Sequence, residues 1–423
     1  MNRAKFKPKK DTLKTIAKIA AENDPVEPPK PKATLRTRIK QKGTTGALRA
    51  SKAVLKKTKP ETVCSIDEDG NVNRSRLLKA LKSVQPGIDQ KSEEGFDIIL
   101  FKEDCIKTYN TVISITHPLN SKLTCCVKAN ELYKVLSKMQ DDNIRIENND
   151  TELVIKSERT VVKLPLIPDS CIVDNTTNIL KDLQAVKWAK LPADFVDGLI
   201  ACSVSLSTRA EYAYIDGIAI QGENIASSDN YRISMFVMKK SLYDDPIMIP
   251  TRAIKDLICF IEANNNDLVI GRFGSWIHFR ANSNNVTFSC CLADQEFPWA
   301  DIKNLLVVSE NASEHRLPET LDKAIDTAEI FPHEEDGSEF INLKTSGKNL
   351  LVTSSCSKGQ VEELVECKEL LPEDFDIWVT PKFLKEILQS THCLFFKKDE
   401  PTLVIFTTGK FSHRIIVRDE VDQ

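Results

Sequence analysis

The side chains with the most obvious chemical potential are runs of adjacent carboxylates such as Asp141-Asp142, Asp244-Asp245 and Glu334-Glu335-Asp336, with six scattered histidines and twelve cysteines. Paired carboxylates can hold a divalent cation, and that chemistry would make the chain a nuclease or another metal enzyme. The context argues otherwise, because each acidic run stands where a turn or loop tip is expected and solvated charge is the ordinary state there. His278 and His413 fall inside alternating patterns that read as strand, so they are expected to be sheet residues rather than bases. No C-x-x-C occurs and no histidine has ligand spacing, so neither a metal nor a cofactor is expected. The phosphate-cradling glycine loops, H-E-x-x-H and G-x-S-x-G are also missing, and no catalytic residue is expected. Cys125-Cys126 and Cys290-Cys291 lie in alternating stretches, where one thiol of each pair should pack inward as a free cysteine.

Whatever these residues do, a repeated plan positions them. A helical pattern appears as SRLLKALKSV from Ser75, as PADFVDGLIACSV from Pro192 and as PETLDKAIDTAEIF from Pro318. A second follows each time: KANELYKVLSKM from Lys128, PTRAIKDLICFIEA from Pro250 and PKFLKEILQST from Pro381. Further strand patterns lie between the two helices, and a hairpin-like alternation follows the second, as in TELVIKSERTVVKLPL and PTLVIFTTGKFSHRIIV. Nothing alternates strand with helix in the way of a doubly wound sheet. The fold class is therefore α+β, with two helices packed on antiparallel sheets in each of three repeats. The domain boundaries are expected at 1–66 for a tail, then 67–190, 191–316 and 317–423, near Lys190 and Leu317.

Charge divides the chain differently. Residues 1–60 hold 18 Lys and Arg against 4 Asp and Glu, while the remainder holds 40 against 57. The first segment also carries Pro25, Pro28, Pro29 and Pro31 and few aromatics, so it is expected to be disordered apart from a short amphipathic helix over Lys10–Glu22. A basic arm of this kind can tether DNA or a partner, whereas the acidic body excludes indiscriminate nucleic-acid binding. No apolar run is long enough to span a bilayer and no apolar signal core follows the N-terminus, so a soluble cytoplasmic protein with no membrane partner is expected.

In the middle repeat, YAYIDGIAIQGENIASSDNYRIS, with Ser228-Asp229 and Arg232-Ile233, then MIPTRAIKDL and the closing DQEFPW, resembles the bacterial-type sliding clamps, the DNA polymerase III beta subunit family. The likeness runs from about Val72 to the C-terminus, and the lysine-rich extension on so divergent a body suggests a bacteriophage or an unusual bacterium. The resemblance implies a non-enzymatic processivity factor: a head-to-tail homodimeric ring that a clamp loader places around double-stranded DNA, read without regard to sequence, in a bacterial or phage-infected cytoplasm. Helix faces opposite the apolar stripe would line the hole, presenting Lys79, Lys82, Lys134 and Lys138, Arg252 and Lys255, and Lys382 and Lys385 to phosphates. Asp194, Asp197, Glu319, Asp322 and Asp326 make two of those helices acidic. A groove for peptides of the DNA polymerase and other partners would use Ile215, Ser228, Arg232, Ile233, Pro250, Ile254, Ile415 and Val417, with Arg232 at its rim. The subunit joint would use Val162, Ile330 and Phe331. The alternative is a protein-interaction scaffold of the same fold that is not loaded on DNA, which the acidic helices and the polar ending RDEVDQ favour.

Overall fold

The computed structural model describes residues 64–91, 96–167, 179, 183–206, 215–308, 312–335, 338–396 and 403–418. The basic tail with its expected helix, Asp336 and the last five residues lie outside that set.

The first module opens with β1 (Asn71–Asn73) and α1 (Arg74–Val84). Leu77, Ala80, Leu81 and Val84 form the buried stripe of α1, and the Asn73 side chain caps its first turn by accepting the Arg76 N–H at 3.0 Å. Four strands follow, β2 (Ile98–Lys102), β3 (Cys105–Tyr109), β4 (Ile113–Pro118) and β5 (Cys125–Lys128). Then come α2 (Ala129–Lys138), β6 (Asn143–Asn148), β7 (Glu152–Lys156) and β8 (Val161–Pro165). The second module repeats the order with β9 (Ala189–Lys190), α3 (Phe195–Ser203), β10 (Gly217–Gly222), β11 (Asn224–Ser228), β12 (Arg232–Val237) and β13 (Tyr243–Pro250). Its second half is α4 (Thr251–Ala263), β14 (Leu268–Phe273), β15 (Trp276–Ala281) and β16 (Thr287–Cys291).

A short α5 (Trp299–Leu305), which the sequence patterns do not announce, precedes the third module. That module runs β17 (Ser313–Arg316), α6 (Leu321–Ala328), β18 (His333–Glu335), β19 (Ser338–Ser346), β20 (Asn349–Cys356), β21 (Gly359–Glu366) and β22 (Asp376–Val379). It closes with α7 (Pro381–Leu388), β23 (Cys393–Phe396), β24 (Leu403–Thr408) and β25 (Phe411–Ile416). Proline at the first position of α7 suits a helix start, where its missing N–H would have had no partner.

Each module therefore builds two antiparallel sheets. The strands between its helices pair in the orders β5-β2-β3-β4, β13-β10-β11-β12 and β22-β19-β20-β21. β18 also pairs with β19, and the remaining strands pair as β1-β6-β7-β8, β9-β14-β15-β16 and β17-β23-β24-β25. One polar contact marks the repetition atom by atom. The hydroxyls of Thr108, Ser227 and Ser354, on β3, β11 and β20, which hold the same place in the three strand orders, donate to the carbonyls of Val84, Cys202 and Ala328 at the ends of α1, α3 and α6. A helix's last carbonyls have no intrahelical partner, so the same deficit is met by the same device three times.

The sheets do not stop at module boundaries. β4 pairs with β16, setting Ile115 opposite Phe288, and β12 pairs with β25, setting Ser234 opposite His413. Two continuous eight-stranded sheets result, over a core shared by all three modules. Near the expected boundaries, β9 bonds to β14 and β17 to β23, so each of these strands pairs within the sheet of the module that follows it. Cys64 and Ile66 are buried, and the Ile66 N–H donates to Asn120 at 2.9 Å, so these residues belong to the first module and not to the tail.

Candidate functional site

The acidic runs turn out to be structural or solvated. Asp142 pairs with Arg74 at 3.5 Å, while Asp244 and Asp245 lie in β13 and Glu334 in β18, so these two runs are on strands and not at the turns expected. β13 ends its sheet, and charge on an edge strand discourages pairing with another chain. Among the described residues, no group of three or more His, Cys, Asp or Glu is placed to hold a metal ion. No helix among them is long and apolar enough to cross a membrane. Both thiols of Cys125-Cys126 are buried, one in the main core and the other in a smaller cluster on the opposite sheet face. His278 and His413 are buried strand residues, each with Nδ1 bonded to a serine hydroxyl at 2.8 Å. Burial holds the His278 pKa down to about 4. Burial first, and the nearby Arg232 charge second, hold His413 down to about 3.

On the helices, Lys79, Lys82, Lys134, Lys138, Arg252, Lys255 and Lys382 are exposed. Arg252 also reaches Asp89 of the first module at 3.7 Å. Lys385 differs: it is half-buried, with Nζ at 2.5 Å from Asp326 and 2.8 Å from Glu329. Burial opposes its charge, but the two carboxylates prevail and raise its pKa above the ordinary lysine value.

The residues expected to form a peptide groove meet at the seam of the second and third modules, mostly as core. Ile254, Ile415 and Val417 are buried in the main cluster, and Ile215 lies under α5 with Phe297, Ile302 and Leu306. Ser228 is also buried, leaving Ile233 and Pro250 half-exposed. Arg232 is 3% exposed, which removes it from a rim. Its guanidinium forks onto Asp229 at 2.9 and 2.7 Å, bonds to Glu386 on α7 and lies 4.1 Å over the Phe383 ring. It joins the two modules, as does Lys410 bonding to Asp194.

Sequence reasoning missed Glu386, Phe383 and the part Asp229 plays, although D-x-x-R is a turn signal: the Asp229 carboxylate accepts the Tyr231 and Arg232 N–H groups around Asn230 at φ 73°. It also missed the apolar surface that the seam does present. Tyr231 is 58% exposed and Ile416 51%, the Ile416 N–H donates to the Tyr231 carbonyl at 2.9 Å, and Tyr231 packs 6.3 Å from Phe383.

Two sheet edges carry the expected joint residues. β8 ends its sheet, with Val161 61% exposed and Val162 half-buried. β21 ends another, with Leu364 exposed and Phe331 packed against Gly359, while the neighbouring Ile330 is exposed. A side chain at position 359 would strike the Phe331 ring at 2.9 Å, so only glycine permits that approach.

No family model and no curated protein matches the sequence. Solved structures do match its fold. The Helicobacter pylori beta clamp bound to a DNA ligase peptide superposes with a TM-score of 0.65 at 19% identity, over 82% of this chain and 99% of that one. A putative DNA polymerase III beta subunit from Eubacterium rectale gives 0.69 at 16% identity, over 82% and 98%. The DNA polymerase sliding clamp of Bacillus subtilis gives 0.69 at 15% identity, over 83% and 99%. The chain thus has the α+β fold of the DNA polymerase III beta sliding clamps, at a sequence distance that marks it as divergent.

Proposed function

We propose that the protein is a DNA sliding clamp: a head-to-tail homodimer that encircles double-stranded DNA and tethers a replicative DNA polymerase, after a clamp loader closes it, in a bacterial or phage-infected cytoplasm. The observation that carries this reading is an incomplete repetition. Two joints of one kind are made inside the chain, β4 with β16 and β12 with β25, and each uses the last strand of one module's first sheet and the last strand of the next module's second sheet. The third joint would need β21 and β8, and among the described residues both are unpaired sheet edges. A second copy supplies each with its partner, and two such contacts close the assembly.

Charge and register support the pairing. β21 carries Glu362, Glu363 and Glu366, while the hairpin of β8 carries Arg159, with Lys156 and Lys163 paired to Glu147 and Glu152. Continuing the Ile115–Phe288 and Ser234–His413 pairs into the third joint sets Val361 opposite Val162, both half-buried apolar residues lacking a cover. The exposed helix cations would meet phosphates, and the basic tail would add contacts of the same kind. Partner peptides would dock at the seam on Tyr231, Ile233, Pro250 and Ile416, beside the Phe383 ring.

The test is topological. Protein loaded on circular DNA with a loader and nucleotide should stay bound through gel filtration and leave when the circle is cut. Equal loss from circular and cut DNA would refute encirclement. A second reading, a scaffold of this fold that is not loaded on DNA, draws on the acidic residues of α3 and α6, Asp197, Asp322 and Asp326 among them; it predicts peptide capture with no retention on circles.

A further inference from the structure

We propose that the joint between subunits is built without the clasp that fastens both joints inside the chain, and that the ring parts first at this bare end, where the turn of β20 and β21 meets Pro165 of the partner subunit. This rests on the clamp reading above and adds what limits the strength of its closure.

The clasp is a hairpin turn with a side chain that pins it. β3 and β4 are joined by a two-residue loop, Thr111-Val112, and β11 and β12 by Asn230-Tyr231, with the flanking residues in the same register. The Asn110 carboxamide accepts the N–H groups of Val112 and Ile113 at 3.3 and 2.8 Å, and the Asp229 carboxylate accepts those of Tyr231 and Arg232 at 3.1 and 2.8 Å. Each turn sets its first loop residue in the left-handed region, Thr111 at φ 71° and Asn230 at φ 73°. For a β-branched threonine that conformation is costly and persists only where the surroundings dictate it. Each turn is also moored to a neighbouring element, Asn110 by donating to the Pro86 carbonyl at 3.0 Å and Asp229 through Arg232 to Glu386 on α7. Both moored loops present a carbonyl to the next module. The Cys291 N–H donates to Val112 at 2.8 Å and the Ile416 N–H to Tyr231 at 2.9 Å, one bond beyond the last paired residues of each joint.

The third module changes every part of this device. Its turn has the same length, Ser357-Lys358 between paired Cys356 and Gly359, so Cys356 stands where Asn110 and Asp229 stand. A thiol is a weak acceptor and does not hold two N–H groups. Positive φ, found at Thr111 and Asn230, is not found at Ser357 among the described residues. In place of a mooring, a cleft of about 290 Å³ opens between the turn and the start of β18, walled by His333, Glu334, Cys356 and Lys358 among others. The register that sets Val361 opposite Val162 of the partner subunit brings the partner subunit's Pro165 to the place of Cys291 and Ile416. Proline has no N–H to give to the Lys358 carbonyl. The pinning side chain, the mooring and the final bond are therefore all missing at one end of this joint, while both internal joints keep the three.

Dimer dissociation of the full chain is measured by sedimentation and by exchange of N-terminally labelled subunits. Cys356→Asn returns the pinning side chain, and Pro165→Ala returns the donor. One bond regained at each of two joints should lower the dissociation constant of Pro165→Ala by about 5- to 150-fold. The double variant should associate more tightly than either single one and exchange subunits more slowly. Unchanged constants and exchange rates in all three variants, or weaker association in the double variant, would overturn the proposal. Melting curves confirm folding; if the double variant fails to fold, Pro165→Ala alone decides, tighter association supporting the missing clasp and an unchanged constant refuting it. A wild type that stays monomeric at every concentration refutes the clamp reading, whereas a dimer indifferent to these changes refutes this inference alone.

Discussion

Replacing Arg232 by methionine, which keeps the bulk of the side chain and removes its charge, should loosen the seam between the second and third modules. The change strands Asp229, whose side chain is 8% exposed, and frees Glu386, which at 34% exposure can partly rehydrate. Breaking a buried pair from one side costs about 3–5 kcal/mol, and the half-exposed partner places the expected loss near the lower end of that range. Loss of the guanidinium over Phe383 adds about 0.5–1 kcal/mol. Chemical denaturation should give a destabilisation of about 3–4 kcal/mol, and a double-mutant cycle with Glu386→Gln should show a coupling of about 1–3 kcal/mol. A variant within about 0.5 kcal/mol of wild type, or a coupling of zero, would refute the role assigned to Arg232. A rim residue waiting for a ligand behaves in the opposite way: its loss weakens peptide binding and leaves stability alone.

Three further outcomes are expected. Thr108→Val, Ser227→Ala and Ser354→Ala each remove one buried hydroxyl bond to a helix end and should each cost about 0.5–1.5 kcal/mol in denaturant titrations; a cost at only one of the three would contradict their equivalence. His278 and His413 resist protonation when folded, with pKa values of about 4 and about 3 against an ordinary 6.5. Their contribution to stability is complete above pH 6.5 and drains as pH falls towards those values, so the denaturant midpoint should decline over that window, and a His278→Asn, His413→Asn variant should flatten it. Ile330→Asp with Leu364→Asp should convert the proposed dimer to monomer, and an unchanged mass by light scattering would refute the joint.

The parts of the fold written in local patterns were legible in the sequence. All six expected helices appear where apolar spacing puts them, because a stripe such as Leu77, Ala80, Leu81 and Val84 is visible over about two turns. The seven residues of α5 are too few to show such a stripe, and they follow Phe297-Pro298 with no cap signal. Pairing across modules left no local trace, since nothing near Thr116 announces Thr287 as its partner. The same distance hid the seam. Arg232 and Glu386 read as two surface charges until folding sets them together, and the isoleucines expected to line a groove were already needed as core. What remained for a partner was Tyr231 and Ile416, residues whose exposure no periodicity marks.

Strand exchange between modules also orders the way the chain matures during synthesis. β4 leaves the ribosome long before β16 exists, and β12 waits for β25 at the far C-terminal end. The nascent first and second modules must therefore carry a raw, hydrogen-bond-hungry border through most of translation, a state prone to mispairing and to capture by chaperones. Slow codons or a holdase acting before residues 287–291 emerge would have the greatest leverage on yield, and a truncated product would be lost to aggregation rather than accumulate as a smaller soluble protein.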